Sequence, residues 1–336
     1  MKGLLKYLSP FAPDQSGAVS ALFEFGGLTV VCDAGGCTGN ICGFDEPRWF
    51  LHRSALFSAC LRNMDAVMGR DDRLLERVAE AVSLLEMPFC SLIGTPVPAV
   101  TGMDFRALGH LVEKRTGVPC IAVPSTGARY YDRGASEAFQ MLFGRFAEER
   151  RPVVAGKIGY LGATPLDLSM LSVPKSAPKG VYYGMGNGLD YVRAASEAEK
   201  NVVLSPSGLA SAEVLKRQFG TPFVFDYPFL PKTVIEKGVK RVLVVHQQVA
   251  ANAMRDKLRV REKIENVTVA TWFMSLPQIC EEDDFQLRSE EQFAEAAREY
   301  DCIVGDAVLC HALPAWHGQW VDFPHFAVSG RLLDAE

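Results

Sequence analysis

Short apolar runs, each closed by a turn rich in Gly, Pro or Ser and followed by a stretch of helical periodicity, recur along nearly the whole chain. That alternation limits the fold more than any other feature. Leu28–Val31, Asp65–Met68, Phe89–Ile93, Cys120–Val123, Val153–Leu161, Asn201–Leu204, Phe223–Phe225, Arg241–His246, Val267–Thr271 and Asp301–Val304 read as strands. Helices are predicted over Asp71–Glu86, Phe105–Arg115, Gly134–Glu149, Gly208–Gln218, Gln248–Leu258 and Ser289–Tyr300. In the first of these Leu74, Leu75, Val78, Ala81 and Val82 fall at helical spacing, and Asp71 and Asp72 favour its N-terminus. Strands alternating with helices imply parallel sheets built from βαβ crossovers. The expected fold class is therefore α/β, with three doubly wound Rossmann-like units in series. Breaks at Arg150-Arg151-Pro152 and at Pro228–Lys232 divide the chain into units 1–150, 151–235 and 236–336. No short-period repeat is present, which argues against a solenoid.

Composition narrows the function classes. With 35 basic and 40 acidic residues, a net charge of -5 and no Lys/Arg cluster, the chain lacks the surface that nucleic-acid binding requires. No apolar stretch is long enough to span a bilayer unbroken, and MKGLLKYLSPFAPDQSG has no signal-peptide pattern. The expected location is the cytoplasm, where thiols stay reduced. The acidic stretch Glu281–Phe285 reads as solvated surface.

In that setting nine cysteines need sorting. Cys90, Cys120 and Cys302 lie within strand runs and read as small core hydrophobes, while Cys60 and Cys280 stand alone. Cys310, His311 and His317 have no second close pair of ligands, and Pro314 interrupts the segment. Cys32, Cys37 and Cys42 differ: they are evenly spaced in VVCDAGGCTGNICGF, a Gly-rich loop after a strand. Gly35, Gly36, Gly39 and Gly43 would let the backbone wrap a metal closely, and the carboxyl end of a strand is where α/β sheets place ligands. Three thiols suit zinc or the iron of a cluster, but both usually take four ligands, so one chain is short and two chains meeting here would suffice. A Gly-rich turn with incidental cysteines explains the spacing about as well. A phosphate loop is a poor match, since neither G-x-G-x-x-G nor a terminal Gly-Lys-Ser/Thr is present.

Several stretches, in order, resemble the nitrogenase component 1 family. Cys32-Asp33-Ala34-Gly35-Gly36-Cys37 sits where the family has a His-Gly-Pro-x-Gly-Cys turn, and Phe57-Ser58 through Gly69 resembles the approach to its Val-Phe-Gly-Gly turn. Gly94-Thr95-Pro96 through Asp104 is similar to its Thr-Cys…Gly-Asp-Asp segment, and Val123–Gly127 to its Thr-Pro-Gly-Phe. Gly162–Asp167, Asn201–Ser205, Phe219–Pro222 and Asp301–Asp306 continue the likeness. The departures bear on function. Phe11–Ala18 has no Cys where cluster-bearing members carry one, Pro96 stands where another belongs, and Ser205 replaces the Cys that anchors the catalytic cofactor. Only Cys37 falls on a family ligand position, with Cys32 and Cys42 as substitutes for the missing ligands and Asp14 as an oxygen ligand by analogy.

The resemblance implies an oxidoreductase component that takes electrons from an ATP-dependent iron-sulfur reductase like the nitrogenase iron protein. It stores them on an interfacial cluster, [4Fe-4S] by expectation, and reduces a substrate that the sequence does not name. A homodimer would complete the ligand set, with Cys37 and either Cys32 or Cys42 from each chain and Gly35 and Gly36 lining the site. A molybdenum-iron cofactor and dinitrogen reduction are not expected. A non-catalytic cluster carrier or assembly scaffold is the alternative, and a relative with incidental cysteines a third. Tyr182, Tyr183, Met185, Trp316 and His317 are candidates to line a substrate cleft between the three units, and His246 is the candidate ionisable group.

Overall fold

A computed structural model describes residues 5–52, 54–62 and 71–333. The predicted strand Asp65–Met68 lies outside them. Among the described residues the strands form three sheets, and every strand pairing in them is parallel. No described helix is long and apolar enough to cross a membrane.

The first sheet contains β1 (Leu28–Val31), β2 (Ala55–Ser58), β3 (Cys90–Ile93) and β4 (Cys120–Val123) in the order β2-β1-β3-β4. The pleat sends alternate residues to opposite faces. Val31, Ile93, Ile121 and Val123 join a core with α1 (Asp14–Leu22) and α5 (Tyr131–Phe146). Val30, Cys32, Cys90 and Leu92 face a second core under α3 (Asp71–Leu84) and α4 (Phe105–Thr116), and between β1 and β2 the chain makes the short helix α2 (Gly36–Asn40). Asp104 starts α4 by accepting from the N–H groups of Arg106 and Ala107, and Gly117 ends it at φ 72°.

α1 is buried along its length, so it has no polar stripe and its periodicity is invisible in the sequence. Its contact with α5 depends on two glycines. A Cβ on Gly17 would lie 1.8 Å from the Tyr131 carbonyl oxygen, and one on Gly134 would lie 1.8 Å from that of Asp14.

The second sheet, β5 (Val154–Leu161), β6 (Val181–Tyr182), β7 (Ala198–Val203) and β8 (Phe223–Phe225), has the order β6-β5-β7-β8. The third runs β11-β10-β9-β12-β13, from β9 (Arg241–Val245), β10 (Asn266–Thr271), β11 (Phe285–Gln286), β12 (Cys302–Gly305) and β13 (Gln319–Asp322). Strand order reverses between β1 and β3, between β5 and β7, and between β9 and β12. Those switch points are where doubly wound sheets open a crevice at their carboxyl ends.

Two expectations are corrected. The Gly-rich segment after β1 is not an irregular loop: α2 continues into a π-helical turn over Ile41–Asp45. The acidic stretch is not merely solvated. Asp284 is buried and holds the buried Arg255 at 2.7 Å, while Glu281 pairs with Arg259 at 2.7 Å.

Candidate functional site

At the first switch point, Asp33 organises the carboxyl edge. Its buried carboxylate accepts from the Thr38 N–H at 2.8 Å, the Thr38 hydroxyl at 3.0 Å and the Ser58 hydroxyl at 2.6 Å, tying the start of α2 to the end of β2. Gly35, at φ 111°, turns the chain into that helix, and the Cβ positions of Gly36, Gly39 and Gly43 look onto open space. The segment that follows is pinned by Arg48, a wholly buried guanidinium. It bonds Glu46 at 2.7 Å, Glu24 at 3.1 Å, and the carbonyl oxygens of Ser20 and Gly184 at 2.7 Å.

The three loop cysteines do not converge. Cys32 continues the β1 pleat and is buried beside Cys90 on the α3–α4 face. Cys37, half-buried, packs on the opposite core together with Ile41, and Cys42 is half-buried on the π-helical turn. Burial raises both thiols above the ordinary cysteine value, with Asp33 adding to the effect at Cys37 and Glu46 at Cys42. Without a metal, both stay protonated at neutral pH. No group of three or more His, Cys, Asp or Glu positioned to hold a metal occurs among the described residues.

The same edge carries groups that the sequence reading passed over. Gln15 Oε1 and Ser125 Oγ are buried without a hydrogen-bond partner, and Gln15 Oε1 lies 3.4 Å from where a Cβ on Gly127 would be. Cys60, exposed and held at φ 48°, follows β2 with its N–H on Ser58 Oγ, next to Asp33. Asp14 is no free oxygen ligand. Its carboxylate takes the N–H groups of Thr126 at 3.0 Å and Gly127 at 2.7 Å and the Arg129 Nε at 2.9 Å, which braces the loop after β4.

The switch points of the second and third sheets meet and are filled by their own side chains. Asp167, fully buried, accepts from Thr164 Oγ1 at 2.8 Å, Ser207 Oγ at 3.0 Å and Tyr131 OH at 3.0 Å. Tyr131 OH meets His325 Nε2 at 2.9 Å, and the His325 ring stacks on His246 with centroids 4.2 Å apart. Ser205 Oγ bonds the Gly162 carbonyl oxygen at 2.9 Å and Ser207 Oγ at 2.6 Å. His246 accepts the Gln247 N–H at Nδ1, and its Nε2 faces the Pro324 carbonyl oxygen at 3.2 Å. Burial pushes Asp167 up to about 7 and His246 down to about 4, and burial and the adjacent His246 hold His325 well below the ordinary histidine value.

Tyr182 and Tyr183 are buried, and His317 is exposed. Met185 instead lines a cavity of about 610 Å³ with Phe23, Glu24, His52, Val173 and Asn187. That cavity lies at the amino ends of β1, β2 and β3, opposite the cysteines.

The sequence profile described as "Nitrogenase component 1 type Oxidoreductase" matches residues 16–232, well over half of the chain. The chain belongs to the nitrogenase component 1 family. Two solved structures extend the likeness in fold to the third sheet. "Nitrogenase Cp1 at pH 6.5" has a TM-score of 0.67 at 12% identity, covering 96% of this chain and 87% of that one. "Nitrogenase Cp1 at pH 5" has a TM-score of 0.60 at 14% identity, covering 98% of this chain and 78% of that one. No curated protein matches the sequence significantly. Iron-sulfur clusters are general in this nitrogenase component 1 family. Members also work with an iron-protein reductase.

The donors at the first switch point match half of such a site. Two half-buried thiols, Cys37 and Cys42, stand beside glycines that leave open space. At the junction of the second and third sheets the histidine and serine side chains are engaged by Tyr131, Asp167, backbone groups and, for Ser205 and Ser207, each other.

Proposed function

We propose that this chain is a nitrogenase-like reductase component that holds an iron-sulfur cluster, a [4Fe-4S] by expectation, between two copies of itself. An ATP-dependent iron-sulfur reductase supplies its electrons, and a small molecule other than dinitrogen receives them. The cluster would provide low-potential one-electron storage. This chain's residues would bind it through Cys37 and Cys42, shape its surroundings through Gly35 and Gly36, and set its potential through nearby hydrogen bonds and burial.

One observation carries the reading. The half-buried Cys37 and Cys42 occupy the switch point of the first sheet, and the same stretch of chain leaves Phe44 and Phe50 each 74% exposed and Leu51 61% exposed. Phe44 is two residues from Cys42, and a large apolar group left in water beside a half-complete ligand set suits a two-fold interface. Two thiolates from each protomer then make the four that a cubane takes. Of the two pairings open in the sequence, burial of Cys32 on the other face of the sheet favours Cys37 with Cys42. The closed junction around Ser205 supports the exclusion of a molybdenum-iron cofactor there.

A cluster carrier or scaffold uses the same cysteines and is the second reading, favoured by the packing of that junction. Anaerobic purification tests the shared claim: a brown dimer with iron and sulfide is expected, and a colourless monomer rejects it. Turnover with an ATP-dependent reductase then separates enzyme from carrier.

A further inference from the structure

A second cavity, of about 320 Å³, opens where the loops after β10 and β11 face the start of α5. Its position outside the carboxyl ends of two parallel strands is one that α/β proteins use for ligands. Its volume suits a small molecule. Three guanidinium groups border it, from Arg129, Arg133 and Arg288. Arg129 is spent on Asp14 at 2.9 Å and on both oxygens of Glu137, at 2.6 and 3.1 Å. Arg133 and Arg288 are exposed and, among the described residues, neither side chain has a hydrogen bond or ion pair.

The acidic group in the wall is Asp132, whose oxygens are turned to the backbone N–H groups of Met274 and Arg133. The floor is apolar, formed by Trp272, Phe273 and Leu287, each about 2% exposed. The indole N–H of Trp272 is buried and has no partner, a donor left unspent in that wall.

We propose that this cavity binds a small organic anion, with its carboxylate or phosphate held between Arg133 and Arg288 and its apolar body on the floor. Guanidinium pairs recognise both anion types through charge-assisted hydrogen bonds. The two arginines come from different elements, the first from α5 and the second from the loop after β11, so an anion held by both also joins that helix to the third sheet. The site stands independently of the cysteines and of any metal.

Calorimetric titration of the purified chain with benzoate, phenyl phosphate, inorganic phosphate and the neutral isostere benzamide tests it. Benzoate or phenyl phosphate should bind at least about tenfold more tightly than benzamide, and phenyl phosphate more tightly than inorganic phosphate. The double variant Arg133→Gln/Arg288→Gln should lose about tenfold or more of that affinity, whereas Arg298→Gln, an exposed arginine elsewhere, should lose none. Both arginines are exposed, so an unchanged melting curve will show that the double variant folds. Binding that ignores the double substitution, benzamide matching benzoate, inorganic phosphate matching phenyl phosphate, or no binding of either organic anion would each overturn the proposal.

Discussion

Asp167 sits in a network whose hydrogens can be counted. Six contacts link Gly162 O, Ser205, Ser207, Asp167, Thr164, Tyr131 and His325, but an ionised Asp167 and a neutral His325 leave fewer hydrogens than that to fill them. If Ser205 donates to Gly162 and Ser207 donates to Ser205, the Ser207–Asp167 contact needs a proton from the carboxyl group. A neutral Asp167 supplies the proton that the Ser207 contact then lacks, in accord with its value of about 7. Its raised folded value gives a contribution that is full below about pH 3.8 and is lost as pH rises through about 7. His246 works in the opposite sense. With its folded value lowered to about 4, its contribution is present above 6.5 and is lost as pH falls toward 4. An amide mimics a protonated carboxyl, so Asp167→Asn should match or exceed the parent in stability at pH 8. It should also gain stability steadily from about pH 4 to 6.5, where the parent's opposing slopes partly cancel. Urea midpoints across that range will show it. A loss of several kcal/mol at pH 8 would mean that the fold favours the ionised carboxylate and that its value is not raised.

At the scale of elements, the α1–α5 contact is the tightest constraint. Gly134→Ala puts a methyl group into the Asp14 carbonyl, where backbone rather than a flexible side chain must yield, and should cost about 3 kcal/mol or more in thermal or urea unfolding. Arg48→Ala leaves Glu46 buried without its partner and should cost about 3–5 kcal/mol by the same measurement. Most strands and the amphipathic helices were legible in the sequence because their periodicity reflects one buried face, and Cys120–Val123 and Phe223–Phe225 match residue for residue. α1 was not, because a helix buried all round carries no such signal. β6, β11 and β13 are two to four residues long and gain their identity from a neighbouring strand. α2 was hidden by its glycines, which normally weaken a helix but here follow the Asp33 brace. The cysteine spacing pointed to the carboxyl edge of the first sheet. It could not reveal that the pleat turns Cys32 away from Cys37, or that Cys60 ends on Ser58, next to Asp33.

For the whole molecule, three switch points have unequal fates. Two are closed upon each other by Asp167, Tyr131, His246 and His325, whereas at the first the glycines around Cys37 and Cys42 face open space and Phe44 is exposed. The account assigns subunit association to that face. Phe44→Glu should convert a dimer to monomer in light scattering while leaving the unfolding midpoint of the chain nearly unchanged, since the ring is 74% exposed. Because the thiols of Cys37 and Cys42 are raised by burial, metal uptake must displace their protons, and reconstitution with iron and sulfide should be more complete at pH 8.5 than at pH 6.5. The most direct test is the iron and acid-labile sulfide content of anaerobically purified parent, Cys37→Ala and Cys32→Ala proteins. The account predicts about two iron atoms per chain in the parent and in Cys32→Ala, and none in Cys37→Ala. Iron retained in full by Cys37→Ala, or absent from the parent, would contradict it.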